Sequence, residues 1–172
     1  MYPHLESAAL RILSLPQDFV RRARAGVDDL GQPVEPHLAQ GGEPLRDALR
    51  RAEPGEAILL ASYCPFTQAG PYREYGPVFL AAQGEGAAQR ASLPVDGEIP
   101  YLGASFVLRA YSRDERIVDA RVSSPQAAAA DLTAFFARED VAFVLARFTA
   151  YGCYALRVER SMSGGGDIAL RR

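Results

Sequence analysis

The stretch 55-GEAILLASYCPFTQAGPYREYGPVFL-80 decides the fold that we predict for this chain. One apolar run covers 57–63, and a second begins at 77 and continues to 82. Apolar runs of this length, bounded by turn residues, are typical of well-buried strands. The loop between them carries Tyr63, Tyr72 and Glu74, and loops held at the end of a rigid sheet are frequent functional sites.

Patterns on either side of this stretch predict the other elements. We expect further strands at 8–14, 105–111, 116–122, 141–150 and 153–160, and helices at 16–26, 44–52 and after Ser124. The last helix has Ser124 as its expected N-cap, and its expected buried stripe is Leu132, Phe135 and Phe136. Residues 27–43 and 83–103 lack periodicity, so both are predicted to be loops, and the expected anchors of the second are Leu93, Ile99 and Tyr101.

The helix expected at 44–52 follows from apolar spacing. Proline fits the first turn of a helix, and Pro44 precedes three apolar residues at helical intervals. The residues expected to be buried are Leu45, Ala48 and Leu49, and those expected to face water are Arg46, Arg50 and Arg51.

Three successive hairpins with a single helix between them predict an α+β fold. We expect a mainly antiparallel β-sheet with helices packed on a face. A chain of 172 residues is long enough to bury the core of one domain. We assign 1–160 to a single compact domain and 161–172, which is rich in glycine and serine, to a flexible C-terminal tail.

Composition and charge exclude several classes of protein. A formal net charge of -2 gives no general attraction to nucleic acid, and no run approaches the roughly 18 apolar residues that cross a bilayer. The N-terminal sequence lacks the features of a signal peptide. With no predicted export signal, the two cysteines of the chain indicate a cytoplasmic protein with both thiols reduced.

Arg147 is the first residue that we single out as a site residue. It shares one face of its predicted strand with Phe143 and Leu145, and a tight turn at 151–152 would place Leu156 opposite it. A guanidinium on an apolar face needs a hydrogen-bonding or ionic partner. Two interpretations remain open: Arg147 pairs with a buried carboxylate such as Glu74, or it receives the carboxylate or phosphate of a ligand.

Arg109 raises the same question, because it lies between Val107 and Tyr111 on one face of its strand. If both arginines converge on Glu74 and the loop tyrosines, an anionic ligand becomes credible. We therefore name as candidate ligand-binding residues Tyr63, Tyr72, Glu74, Arg109 and Arg147.

Two residues are lesser candidates for catalysis. Glu74 is a carboxylate among tyrosines and prolines, and such surroundings can shift its pKa to a value suited to general acid or base catalysis. Cys153 needs a base such as His37 to become a nucleophile. The two cysteines and two isolated histidines lack zinc-ligand spacing, and we predict no metal and no cofactor.

The chain resembles an uncharacterised bacterial family that is known only as a domain of unknown function. The resemblance rests on "PGEAILLASYCPF", "GPYREYGPVF", "FVLRAYSRDERIVDARV" and "RFTAYGCYALRVER", which together cover most of Pro54 to Arg160. It implies a small cytoplasmic bacterial protein and gives no activity, cofactor or catalytic residue. The chain departs from the family pattern after "GPVF", where a histidine is expected and Leu80-Ala81 is found.

These observations support a small-molecule binding protein with a site at the 63–76 loop, as the leading hypothesis. The expected ligand is a small anion, and whether the protein is an enzyme stays open. One alternative is a structural or interaction protein that acts as a homodimer, since tyrosine and arginine are also enriched at interfaces. A cysteine-dependent hydrolase is the third hypothesis.

Overall fold

The computed structural model describes residues 9–162, which contain ten strands and two helices joined by loops. In chain order they are β1 (Leu10–Leu13), α1 (Gln17–Arg24), β2 (Glu35–Leu38), β3 (Pro44–Leu45), β4 (Arg50–Arg51), β5 (Ala57–Tyr63), β6 (Gly76–Ala81), β7 (Phe106–Tyr111), β8 (Ile117–Ser123), α2 (Ala128–Phe136), β9 (Phe143–Phe148) and β10 (Tyr154–Arg160).

The strands form two five-stranded sheets, and the α+β prediction is confirmed. The first sheet has the order β1-β10-β9-β7-β8 and is antiparallel throughout. The second has the order β2-β5-β6-β3-β4, in which β3 and β6 are parallel. The two apolar runs of the 55–80 stretch become β5 and β6, which pair with each other in the second sheet.

Side chains of the first sheet alternate between two cores, because successive residues of a strand point to opposite faces. On β9, Val144 and Ala146 join the core that α2 covers. Phe143 and Leu145 point the other way and pack with residues of β5, β6 and α1. The second sheet therefore covers the face of β9 on which Arg147 lies. Neither helix of the described residues has the length and apolar character needed to span a membrane.

The helix predicted at 44–52 is wrong. The segment begins as β3, and the Arg46 amide donates a hydrogen bond to the Phe79 carbonyl of β6 at 3.0 Å. Leu49 adopts a left-handed conformation with φ of 51°. Pairing with a distant strand overrides the local helical pattern, and it buries Arg46, which we had expected to face water.

The loop predicted at 27–43 contains a strand, and this part of the prediction is also wrong. β2 pairs with β5 through its backbone, while all four of its side chains are exposed. An exposed strand carries no apolar alternation, so the sequence pattern gave no sign of it.

The remaining predictions are mostly confirmed. Residues 83–103 contain none of the ten strands and two helices, as predicted for a loop. Of the three predicted anchors, Leu93 and Tyr101 are buried, but Ile99 is exposed. α2 begins at Ala128, later than the N-cap predicted at Ser124, whose carbonyl accepts hydrogen bonds from the next turn. Most of the tail predicted at 161–172, from 163 onwards, lies outside the described residues.

Candidate anion-binding site

Arg147 faces the second sheet from β9, as the alternation of its strand predicts. The register differs from our expectation: Tyr154 of β10 lies opposite Arg147, and an irregularity between Tyr154 and Leu156 brings Leu156 opposite Ala146. This irregularity follows the turn in which Gly152 has a left-handed φ of 68°, which favours glycine.

Arg147 and Glu74 form an ion pair between the two sheets. Arg147 Nη2 donates to Glu74 Oε1, and Nη1 donates to the Gly152 carbonyl at 3.0 Å. The Arg147 side chain is 7% exposed and that of Glu74 is 44% exposed. Arg147 Nε is buried and has no hydrogen-bond partner within residues 9–162.

Arg109 also reaches Glu74. Its Nη1 lies 4.0 Å from the same Oε1 that Arg147 contacts. The two arginines come together because β7 and β9 are neighbours, with Val107 of β7 opposite Arg147. Two guanidinium groups therefore converge on one half-exposed carboxylate, as the sequence analysis anticipated for an anion site.

A cavity of about 210 Å³ lies beside this ion pair. Its walls include Glu74, Arg147, Tyr63 and Cys153. Burial lowers the pKa of Arg147, because the charged form is desolvated there. Arg147 therefore pairs with Glu74 and also has space for a ligand group beside it.

The two tyrosines named from the sequence lie in different settings. Tyr63 is buried, its ring contacts Phe19 and Tyr154, and burial raises its pKa to about 12. It lines the small cavity as a neutral phenol. Tyr72 is 38% exposed and stacks under Arg116, with 5.8 Å from the guanidinium carbon to the ring centre. Tyr72 is not among the residues that line the small cavity.

The loop that carries Glu74 is fastened to the β7–β8 turn by Glu115. The Glu115 carboxylate accepts hydrogen bonds from the amides of Thr67 and Gln68, both at 2.9 Å. Burial tends to raise the pKa of Glu115, but these donors outweigh it and the pKa lies below its ordinary value. Glu115 lies between the strands predicted at 105–111 and 116–122, and nothing local in the sequence links it to a loop 47 residues away.

A larger cavity of about 620 Å³ shares a wall with the small one. Pro77, Tyr151 and Cys153 line both cavities. The other residues of the large cavity come from the 40–46 segment, from β4 to β6 and from the ends of β7 and β9. Its charged and large apolar side chains are Glu43, Arg46, Arg51, Leu60, Phe79 and Phe148.

Arg46 is a buried cation without an acidic partner. It is 3% exposed, and its Nε and Nη1 donate to the carbonyls of Tyr154 and Pro44 at 2.9 and 2.8 Å. Over residues 9–162 its side chain forms no ion pair. Burial lowers the pKa of Arg46. Within the described residues, the groups that accept hydrogen bonds from Arg46 are therefore neutral.

Arg51 also contacts the Phe148 ring. The guanidinium carbons of Arg46 and Arg51 are 5.2 and 5.1 Å from the ring centre, within the range of cation–π contacts. Arg51 donates to the carbonyls of Gly42 and Tyr101 and, like Arg46, forms no ion pair in the described part of the chain. The aromatic ring thus fixes two cations at the cavity wall.

Glu43 is the acidic residue of the large cavity. Its carboxylate accepts hydrogen bonds from the amides of Gln40 and Gly41 at 2.7 and 2.9 Å. Burial tends to raise the pKa of Glu43, but these amide donors hold it below its ordinary value. The ion pairs of residues 9–162 do not join Glu43 to Arg46 or Arg51.

Within residues 9–162, neither thiol forms a hydrogen bond with a histidine or a carboxylate. Cys153 Sγ donates to the Tyr151 carbonyl at 3.7 Å and Cys64 Sγ to the Phe66 carbonyl at 3.4 Å, and both cysteines are free. His37 contacts Glu35 on the exposed strand β2. Between residues 9 and 162 no three His, Cys, Asp or Glu side chains are grouped to hold a metal ion.

The fold and the cavities define an α+β protein with two buried arginine positions between its sheets. The chain belongs to the family described as "Protein of unknown function (DUF1203)", whose model matches residues 42–160. No curated protein and no solved structure matches the chain. Leu80 and Ala81, where the sequence resemblance leads us to expect a histidine, are both buried apolar residues of β6.

Proposed function

We propose that this protein binds a small molecule that carries a carboxylate or phosphate group. The anionic group contacts Arg46 and Arg51 in the large cavity. The observation that carries the proposal is the burial of Arg46, at 3% exposure, without an acidic partner in residues 9–162.

A buried guanidinium requires compensation because it cannot lose its proton under ordinary conditions. Removing a charge from water costs several kcal/mol in effect, and buried charges are usually paired. Backbone carbonyls satisfy two of the donors of Arg46 but bring no negative charge. A ligand anion supplies that charge, and the planar fork of arginine suits carboxylates and phosphates.

The dimensions and walls of the cavity support a ligand with an apolar part. Its volume of about 620 Å³ is typical of small-molecule sites. Leu60, Phe79 and Phe148 contribute apolar surface next to the cations. We therefore expect an organic acid or phosphate ester in preference to a free inorganic ion.

The site expected at the 63–76 loop is the adjoining compartment in this proposal. The small cavity with Glu74 and Arg147 meets the large cavity at Pro77, Tyr151 and Cys153. A cytoplasmic bacterial setting belongs to the same proposal, and its support is the family resemblance and the two free cysteines, which fit a reducing compartment.

Ligand-observed NMR with three probes tests the proposal. We expect benzoate and phenyl phosphate to bind, and benzamide, which has the shape of benzoate without its charge, to bind far more weakly. Arg46→Met weakens acid binding roughly ten- to hundredfold, whereas Arg113→Met, the same charge change at an exposed position, preserves it. Circular dichroism confirms folding, and Arg46→Lys, which keeps the charge, retains part of the binding.

Three results contradict the proposal: equal binding of benzoate and benzamide, acid binding of wild-type affinity in a folded Arg46→Met variant, and no binding of either acid at millimolar concentration.

Self-association is a second candidate function, and exposed tyrosines beside the small cavity favour it. Tyr75 and Tyr151 are 43% and 87% exposed and line that cavity. Tyrosine is enriched at protein interfaces. Light scattering at micromolar concentration tests this candidate: a dimeric mass supports it, and a monomeric mass removes it.

A further inference from the structure

We infer that Arg147 is a second anion-binding position, occupied in this structure by Glu74, and that the ligand class is therefore a molecule with two anionic groups. The inference rests on the proposed function for its first anionic group, which contacts Arg46. One group of the ligand reaches Arg46, and the other displaces Glu74 from Arg147.

The two arginines hold the same short segment of backbone. Arg147 Nη1 donates to the Gly152 carbonyl at 3.0 Å, and Arg46 Nε donates to the Tyr154 carbonyl at 2.9 Å. Two residues of extended chain span at most about 7 Å. Cys153, between these two carbonyls, lines both cavities. With the two hydrogen bonds added, the donor nitrogens of Arg147 and Arg46 lie at most about 13 Å apart, a span that a linear dicarboxylate with several methylene groups reaches.

Glu74 is suited to being displaced. Its side chain is 44% exposed, whereas that of Arg147 is 7% exposed. A half-exposed carboxylate is readily solvated when it leaves, but the buried guanidinium requires a replacement anion. This difference makes exchange of Glu74 for a ligand carboxylate favourable where simple opening of the pair is not.

Glu74 also does not pair with all the hydrogen-bond donors of Arg147. It contacts Arg147 through Nη2, while Arg147 Nε is buried without a partner among the described residues. Arg109 lies 4.0 Å from the same Glu74 oxygen, so two positive charges face one negative charge. A ligand carboxylate that bonds Nε and Nη2 together would satisfy the remaining donor by bidentate pairing.

Glu74 accordingly acts as an internal competitor for the second anionic group. Neutralising Glu74 strengthens the binding of a diacid and leaves a monoacid at Arg46 unaffected. A structural role for the Glu74–Arg147 pair predicts no such difference between the two kinds of ligand.

Isothermal titration with matched acids tests the inference. The probes are the linear dicarboxylates from succinate to suberate, each compared with the monocarboxylate of the same carbon number. For the best chain length, we expect Glu74→Gln to strengthen diacid binding by about tenfold, the scale of one lost charged competitor, and to leave the monoacid unchanged. Glu85→Gln, the same charge change at an exposed site, alters neither.

Arg147→Met provides the complementary measurement. It removes the advantage of the diacid over its monoacid and leaves monoacid binding intact. Urea denaturation of each variant verifies that it is folded.

The outcomes separate this inference from the proposed function. If monoacids bind through Arg46 but diacids gain nothing, or if Glu74→Gln strengthens both acids equally, the second position is disproved and the first stands. If neither acid binds the wild-type protein, the proposed function and this inference both fail.

Discussion

Arg46 and Arg147 are both buried arginines at a cavity wall, but their charges are compensated differently. Arg147 meets Glu74 from the opposite sheet, whereas Arg46 meets only backbone carbonyls. The fold provides an acid for Arg147 because a loop of the second sheet passes over its strand. In residues 9–162 no carboxylate forms an ion pair with Arg46.

Under the proposed function, this difference distinguishes a position that the protein fills itself from one that it leaves for a ligand. Folding around an unpaired buried charge reduces stability, and in the proposal a ligand anion offsets that cost. The paired arginine then has an exchangeable partner, and the unpaired arginine binds an external anion. The following predictions test this contrast, beginning with the largest expected effect.

Arg46→Met gives the largest expected loss of ligand affinity. A hydrogen bond to a charged group contributes about 1.5–3 kcal/mol, so we expect roughly ten- to hundredfold weaker binding of benzoate. The measurement is a calorimetric titration of wild type and variant. A loss of similar size in Arg113→Met, whose side chain is exposed, would attribute the effect to general charge and contradict the assignment.

Glu115→Gln tests how the loop of Glu74 is held. The amide of glutamine cannot accept from all the donors of Thr67 and Gln68, so we expect a stability loss of about 1–3 kcal/mol in urea denaturation at neutral pH. Arg46-dependent binding of benzoate persists in this variant, because the large cavity does not depend on Glu115.

The same substitution alters the acid dependence of stability. Since the pKa of Glu115 is lowered on folding, its stabilisation is present above the ordinary glutamate pKa, 4.5, and is lost as pH falls through the lower folded value. The difference in stability between wild type and Glu115→Gln therefore shrinks towards low pH. Asp114→Asn, at the exposed neighbouring position, keeps the wild-type acid dependence.

Glu74→Gln gives the smallest expected change in stability. Because the amide oxygen of glutamine still accepts from Arg147 Nη2, and water reaches this half-exposed position, the loss should stay below about 1 kcal/mol in urea denaturation. A loss of several kcal/mol would show that Glu74 and Arg147 act as a structural pair. That result would remove the contrast between the two arginines from which the second anion position was inferred.

The sequence was sufficient to predict one of the two arginine positions. Strand alternation placed Arg147 on an apolar face, and the apolar runs of β5 and β6 placed Glu74 in a loop at the sheet end. These are local patterns, so they survive in the folded structure. The exact register opposite Arg147 was wrong because an irregularity at Tyr154 shifts the pairing.

Arg46 was misplaced because its local pattern is misleading. Residues 44–52 carry helical apolar spacing, which put Arg46 on the solvent side of a helix. In the structure, backbone pairing with Phe79 draws the segment into a sheet and buries Arg46. This pairing depends on contacts between residues 33 positions apart, which no local periodicity reveals, and the large cavity was missed with it.

Alkylation of Cys153 tests the central claim most directly, because this thiol lies at the wall shared by both cavities. The measurement is the ratio of the iodoacetate rate to the iodoacetamide rate in Cys64→Ser protein, a ratio in which changes in thiol reactivity cancel. We predict that Arg46→Met lowers this ratio by about tenfold, the scale of one nearby charge in a partly buried site, while Arg113→Met leaves it unchanged. An equal ratio in wild type and Arg46→Met would contradict the claim that Arg46 presents an uncompensated charge to anions in the cavity.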